Sequence, residues 1–417
     1  MLATAPLEIA ECPAPAPPAS SRARFAGPGV GWAILTAALV LIFRKPDLFL
    51  NPQFWAEDFY PFFVDANIFG PRVLAAPYNG YLHFIPRLIA SLAAPFHPSM
   101  QPAIYVAAAL GITLAVVAQV FSPRLNLPGR PWLALAIVAV PHTGEVFLNP
   151  ANLQWITALA LVLTLMKRDA IDAAEWGMDA AVLVAVGLTG PFSVLLLPLF
   201  LARAWVRGTR ASWVVVAILA PPAAVQAWHL CHAPAFLEMG AWRWSHLLGV
   251  LAVRLPMTLA CGEVLPVKLG YAWTVSLGGA LVAAFAFFCL RRGAWRGARV
   301  WLLAGLLLLL LAGIKRGRAD TWAFYDTFNG DRYFYGPKVI TLWLAVLITA
   351  ELTSRRLRTL AVALLMGAFA ANVPAFRIKP QPDLHWAGYS DKIQAGERIE
   401  VPINPGWKVV YPGRSPP

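Results

Sequence analysis

Apolar runs long enough to form membrane-crossing helices recur along the chain, separated by short connections rich in Arg, Pro and Asn. Runs near 29–43, 102–121, 131–148, 152–166, 212–231, 270–290, 298–314, 336–353 and 357–374 each approach the ~20 apolar residues that span a hydrocarbon layer of ~30 Å. A tenth stretch, 179–206, contains Gly187-Leu188-Thr189-Gly190-Pro191, a helix breaker near its middle. It reads either as one kinked span or as a hairpin of two short helices. Loop charge chooses between them. Arg22/Arg24, Arg124/Arg130, Lys167/Arg168, Arg203/Arg207/Arg210, Arg291/Arg292/Arg296/Arg299 and Arg355/Arg356/Arg358 share one face only if 179–206 is a hairpin.

The pattern therefore predicts an all-α polytopic membrane protein with about 11 transmembrane helices in the cytoplasmic membrane. Its N-terminus is expected in the cytoplasm and its C-terminus outside. Residues 1–28, rich in Ala and Pro, read as a disordered cytoplasmic tail, and 29–374 as the transmembrane domain. Within that domain 44–101 forms a long first extracytoplasmic loop, with interfacial helices expected over 58–69 and 84–96. Residues 232–269 read as another outside loop, and 375–417 as a short extracytoplasmic tail with a strand-like stretch at 399–405.

Composition agrees. Of 417 residues 59% are hydrophobic and 13% charged, against about a quarter charged in soluble domains, which excludes a soluble chain. The net charge of +13 lies in short clusters beside span ends, so a nucleic-acid partner is not expected and membrane lipids are. Cys12, Cys231, Cys261 and Cys289 form no CxxC pair; a Cys231–Cys261 disulfide outside the membrane is the one pairing the layout permits. Phosphate-loop, HExxH and GxSxG motifs are absent from the sequence.

Candidate chemistry gathers in the outside segments. Two adjacent carboxylates, Glu57 and Asp58, sit among aromatics just past the first span, where desolvation is costly unless they have a task. A solvated loop end or a helix cap explains them equally well. Tyr81, His83 and Arg87 follow in the same loop, with Tyr78 and Asn79 beside them. Glu145 and His142, then Asn149 and Asn152, form a polar cluster at the next outside turn, although the asparagines can simply break a helix there. Arg332, Tyr333 and Lys338 open a late span and could meet an anionic group or snorkel to lipid phosphates. Lys315, Arg316 and Arg318 read as plain snorkelling residues or an anionic-lipid patch.

With Trp55-Ala56-Glu57-Asp58 after the first span and Arg332-Tyr333-Phe334-Tyr335-Gly336-Pro337 opening a late one, the chain resembles the GT-C superfamily of integral-membrane glycosyltransferases. In several of its members an Arg-Tyr-x-x-Pro segment opens the late span; here the proline comes one residue later. The resemblance implies transfer of a sugar from a polyprenyl-phosphate donor to an envelope glycan, lipid or protein acceptor on the outer face of the membrane. Asp58 is then the preferred base, with Glu57 its neighbour, and the transfer is inverting. Arg332, Tyr333, Lys338, Arg87, Tyr81, His83, Glu145 and Asn152 become the substrate-binding candidates. No cofactor is certain; the acidic pair leaves a divalent metal, Mg²⁺ or Mn²⁺, open. Two rival readings remain: a transporter or flippase for lipid-linked sugars, and a non-catalytic subunit of an envelope assembly.

Overall fold

Helices whose outward faces are apolar surround one helix that is buried almost throughout, and this inside-out arrangement is what a hydrocarbon surrounding requires. The computed structural model describes residues 28–233, 243–324 and 326–413. The N-terminal tail with Arg22 and Arg24 lies outside the described residues. The helices are α1 (Pro28–Arg44), α2 (Phe84–Ala93), α3 (Gln101–Gln119), α4 (Arg130–Ala139), α5 (Leu153–Met166), α6 (Ala173–Gly187) and α7 (Phe192–Arg207). They continue with α8 (Arg210–Cys231), α9 (Trp244–Cys261), α10 (Val264–Leu290), α11 (Arg296–Arg316), α12 (Arg332–Glu351), α13 (Arg355–Asn372) and α14 (Trp386–Gln394). Among the described residues seven helices are long and apolar enough to cross a membrane: α3 and α8 to α13, α13 extended to Phe376. α5 is the hub, with Leu153, Ile156, Leu159, Leu161 and Leu163 buried and with α3, α6, α7, α11 and α12 against it. α13 instead exposes Leu357, Leu360 and Leu364.

Local signals place several helix ends. Asp172 caps α6, its carboxylate accepting the Glu175 N–H at 2.9 Å. Gly208, at φ +63°, ends α7 in the left-handed conformation that glycine adopts most cheaply. The break at 188–191 separates α6 from α7, and ion pairs fix their relation. Glu175, in the first turn of α6, lies 3.2 Å from Arg168 and 3.7 Å from Arg124, and one turn on Asp179 meets Arg124 at 2.7 Å and Lys167 at 3.4 Å. Arg203 and Arg207, at the end of α7, reach Asp169 at 2.8 and 3.1 Å. The start of α6 and the end of α7 thus share one end of the bundle, so 179–206 is a hairpin. Further along, Arg299 pairs with Glu351 at 3.0 Å at the start of α11 and the end of α12.

Three expectations are corrected. The run at 131–148 is helical only to Ala139, so α4 is about 15 Å long, half the hydrocarbon thickness. Residues 140–149 continue as buried irregular backbone, which is tolerable only because side chains satisfy it. Arg44, at the end of α1, donates to the carbonyls of Val138 (3.2 Å), Val140 (3.0 Å) and His142 (2.9 Å). The loop read at 232–269 contains α9; its Arg243, His246 and Arg254 had interrupted the apolar run. α9 packs Leu247 and Val250 on Ile314, Trp322 and Phe334, at one end of α11 and α12. Cys231 and Cys261 are both free thiols, so the disulfide is not formed.

The first loop is folded, and it is not two simple helices. Short turns at Ala56–Asp58, Phe59–Phe63, Val64–Phe69 and Gly70–Ala75 lead into a two-stranded ribbon, β1 (Pro77–Tyr78) and β2 (Tyr81–Leu82), and then α2. The tail closes over it. Strands β3 (Ile399–Ile403) and β4 (Trp407–Tyr411) pair antiparallel, and the Ala56 N–H donates to the Asn404 carbonyl at 2.6 Å. The Gln53 amide bonds the Pro382 carbonyl at 3.1 Å and the Leu384 N–H at 2.7 Å. Phe54, Phe59, Phe63 and Trp386 interlock with ring centroids 4.9–5.9 Å apart, Phe59 and Phe63 stacked and the other pairs edge to face or tilted.

Candidate functional site

Where the first loop, the 140–152 turn and the ends of α11 and α12 meet, a polar pocket of about 440 Å³, open mouth included, enters the bundle. Glu57, Tyr78, Asn79, Tyr81, His83, Asn152, Gln154, Trp155, Arg316, Arg332 and Tyr333 are among the residues that line it. Eight of the residues singled out in the sequence as candidate chemistry meet here: Glu57, Tyr78, Asn79, Tyr81, His83, Asn152, Arg332 and Tyr333.

The two carboxylates of the acidic pair separate. Ala56 takes φ +41° and turns the chain into the short helix that carries both. Asp58 is buried, its Oδ1 accepting the Ala151 N–H at 2.8 Å, and burial pushes its carboxyl well above the ordinary range. Glu57 is left facing the pocket. Asp58, the preferred base in the sequence reading, thus ties the first loop to the turn at Pro150–Asn152 and does not line the pocket; the carboxylate that lines it is Glu57.

A second strap runs between the 142–145 turn and the start of α12. Asp331 accepts the Thr143 N–H at 2.9 Å and the Lys338 ammonium at 2.7 Å, and His142 Nε2 lies 3.4 Å away. Burial alone would raise the Asp331 carboxyl, yet His142 and Lys338 hold it below the usual range. The next residue, Arg332, forms an ion pair with Glu145, which burial raises and Arg332 opposes. Asn149 and Asn152 both donate to the Glu145 carbonyl, at 2.7 and 3.0 Å, knitting the turn together. Glu145 thus balances Arg332 beside the pocket.

Two candidates lie elsewhere. Lys338 is buried and spent on Asp331 and the Pro141 carbonyl. Arg87 is buried and paired with Asp65 at 3.0 Å. Neither lines the pocket, and both hold loop segments in place. Sequence reasoning missed Arg316, which lines the pocket where a snorkelling residue was expected, and Gln154 and Trp155, polar groups at the start of an apolar helix.

The far wall is held from below. Buried Gln226 of α8 accepts the Leu82 N–H at 2.8 Å and donates to the Leu82 carbonyl at 3.1 Å, so Tyr81 and His83 on either side are fixed toward the pocket. Gly190, at φ +80°, donates its N–H to the Leu82 carbonyl at 2.9 Å. A Cβ there would lie 2.4 Å from Gln154 Oε1, so only glycine fits. Burial lowers the His83 imidazole to about 3, which keeps the ring neutral at physiological pH.

The acidic pair does not make a metal cage. Asp58 is committed to a backbone amide, and no group of three or more His, Cys, Asp or Glu side chains among the described residues is placed to hold an ion. Compared with protein-family models, curated proteins and solved structures, the chain matches none.

Proposed function

We propose that the chain is an integral-membrane glycosyltransferase that moves a sugar from a polyprenyl-phosphate carrier to a glycan, lipid or protein acceptor. One observation carries this reading: a single pocket at one end of an apolar bundle gathers a carboxylate, Glu57, two guanidinium groups, Arg316 and Arg332, and amide, imidazole and phenol groups. Glu57 takes the proton of the acceptor hydroxyl as its oxygen bonds the anomeric carbon. The bond from that carbon to the phosphate oxygen breaks on the opposite face, and its electron pair leaves with the lipid phosphate. Arg316 and Arg332 stand where that charge accumulates. Glu145 tempers Arg332, so the released phosphate is stabilised without being trapped. The position of the pocket at one end of the bundle favours transfer over transport, which uses a site near the midplane.

Support for an extracytoplasmic pocket end in this reading comes from the charge of the other end. Arg124, Lys167, Arg168, Arg203, Arg207 and Arg299 lie there, beside span ends, where the cytoplasmic excess of basic residues is expected. In this placement α1, α3, α4 with the irregular segment 140–149, α5 to α8 and α10 to α13 make 11 crossings, with α9 packed at the pocket end.

The test is transfer by purified protein in nanodiscs from a radiolabelled panel of polyprenyl-phosphate sugars. The expected outcome is turnover that falls on the order of 10²–10⁴-fold in Glu57→Gln, the usual contribution of a positioned base. Full turnover in a folded Glu57→Gln protein, or no transfer from any donor, overturns the proposal.

A further inference from the structure

We infer that His83, Gln154 and Trp155 form a subsite for an uncharged, hydroxyl-bearing ring within the pocket that Arg316 and Arg332 also line. His83 and Gln154 are 4% and 5% exposed, yet both line the pocket. Gln154 Oε1 and Trp155 Nε1 are buried without a hydrogen-bond partner. Neither ring nitrogen of His83 makes a hydrogen bond of ordinary geometry, and the Tyr78 backbone is near enough to engage one of them at most. Buried polar groups are nearly always paired, so unpartnered ones gathered on one wall mark a place for a ligand.

The chemistry of the three groups is specific. Trp155 Nε1 only donates, Gln154 Oε1 only accepts, and a neutral imidazole offers one of each. A hydroxyl both donates and accepts, so a ring carrying adjacent hydroxyls can satisfy all three. A carboxylate cannot donate to Gln154 Oε1, and an ammonium cannot accept from Trp155. A uronate or an amino sugar, with a charged group in place of one hydroxyl, therefore makes fewer of these bonds when that group faces the wall. A ring with matching hydroxyls supplies bonds of the kind that water would otherwise make to these groups. Aromatic faces flank the wall: the Tyr81 and His83 rings lie 4.6 Å apart, and the Trp155 and Tyr333 rings 5.1 Å. They offer apolar surface to the C–H face of such a ring.

This subsite deepens the transferase reading and rests on it for the phosphate side only, and the experiment separates the two. Protein in nanodiscs is titrated with citronellyl phosphate, its phosphoglucose, phosphomannose and phosphoglucuronate derivatives, and citronellyl glucoside, which has no phosphate. The expected result is that phosphoglucose or phosphomannose binds at least about tenfold tighter than citronellyl phosphate, and phosphoglucuronate less tightly than phosphoglucose. Gln154→Leu and Trp155→Phe should each remove roughly three- to tenfold of that increment and leave citronellyl phosphate binding unchanged. Should either variant misfold, the wild-type ranking of the probes decides alone. A wild type that gains nothing from either neutral sugar, or as much from the uronate, overturns the subsite; Arg316-dependent binding of citronellyl phosphate would then keep the transferase reading. Binding of the glucoside alone, sensitive to Gln154 and Trp155, supports the subsite and overturns the lipid-phosphate reading. Binding of none of the probes overturns both.

Discussion

Replacing Gly190 by alanine perturbs the pocket through two separable effects. The first is conformational. At φ +80° an L side chain sits in the left-handed region, at a cost of about 1–2 kcal/mol. The second is steric. The new methyl group would stand 2.4 Å from Gln154 Oε1 and 3.3 Å from Phe192 Cδ2, so the glutamine must retreat by most of an ångström, and overpacking of this kind costs about 1–3 kcal/mol. Gly190→Ala should therefore lose about 2–5 kcal/mol in a reversible unfolding titration in mixed detergent micelles. Gln154→Ala removes the obstacle. In the double variant the conformational part and the 3.3 Å contacts with the Cβ of residue 154 and with Phe192 Cδ2 remain, and its loss should fall short of the sum of the two single losses by up to about 1–3 kcal/mol. Singles that add to within about 0.5 kcal/mol would refute the idea that Gly190 exists to admit Gln154.

Other outcomes follow from the buried charges and from the orientation. Burial raises the Asp58 carboxyl above its ordinary value near 3.8, so its contribution to stability is fully present below that pH and is lost as pH rises through the folded value. Asp58→Asn keeps an acceptor for the Ala151 N–H; its thermal midpoint should exceed that of the wild type at about pH 8 and vary less with pH, with transfer within about threefold. An unchanged midpoint at every pH, or a loss of transfer equal to that of Glu57→Gln, would contradict this. Asp331→Ala leaves the Lys338 ammonium buried and unpaired and should cost about 3–5 kcal/mol in the same unfolding titration, part of it recovered by adding Lys338→Met. With native cysteines replaced, a cysteine at Asn329 should react with an impermeant thiol reagent from outside cells and one at Arg292 should not; the reverse pattern inverts the proposed orientation.

What the sequence disclosed divides along the range of the interactions. The apolar runs and the Gly190-Pro191 break act locally, so the helices and the hairpin were legible, and the loop charges chose the hairpin over a single span. α9 was not, because Arg243, His246 and Arg254 break its apolar run, and Arg254 finds its carbonyl partners at Asp326 and Asn329 in the distant connection between α11 and α12. The early end of α4 was hidden for a similar reason: the guanidinium that satisfies its carbonyls belongs to α1. Glu57 and Asp58 are adjacent, and only the amide of Ala151 determines which turns inward. Glu145 and Arg332 were each visible as costly charges, but 187 residues separate them and nothing local pairs them.

The closure of the tail over the first loop has a consequence for biosynthesis. Gln53 and its partner Pro382 are 329 residues apart, so at ~5–20 residues per second a ribosome makes the loop roughly 15–65 s before the segment that fastens it. Through that interval the bundle can insert helix by helix while Ala56, in its strained conformation, lacks the Asn404 carbonyl that holds it. Glu57 is set in place only when the last strands have docked on the first loop. A nascent chain is thus built with its pocket unfinished until β3 and β4 are made.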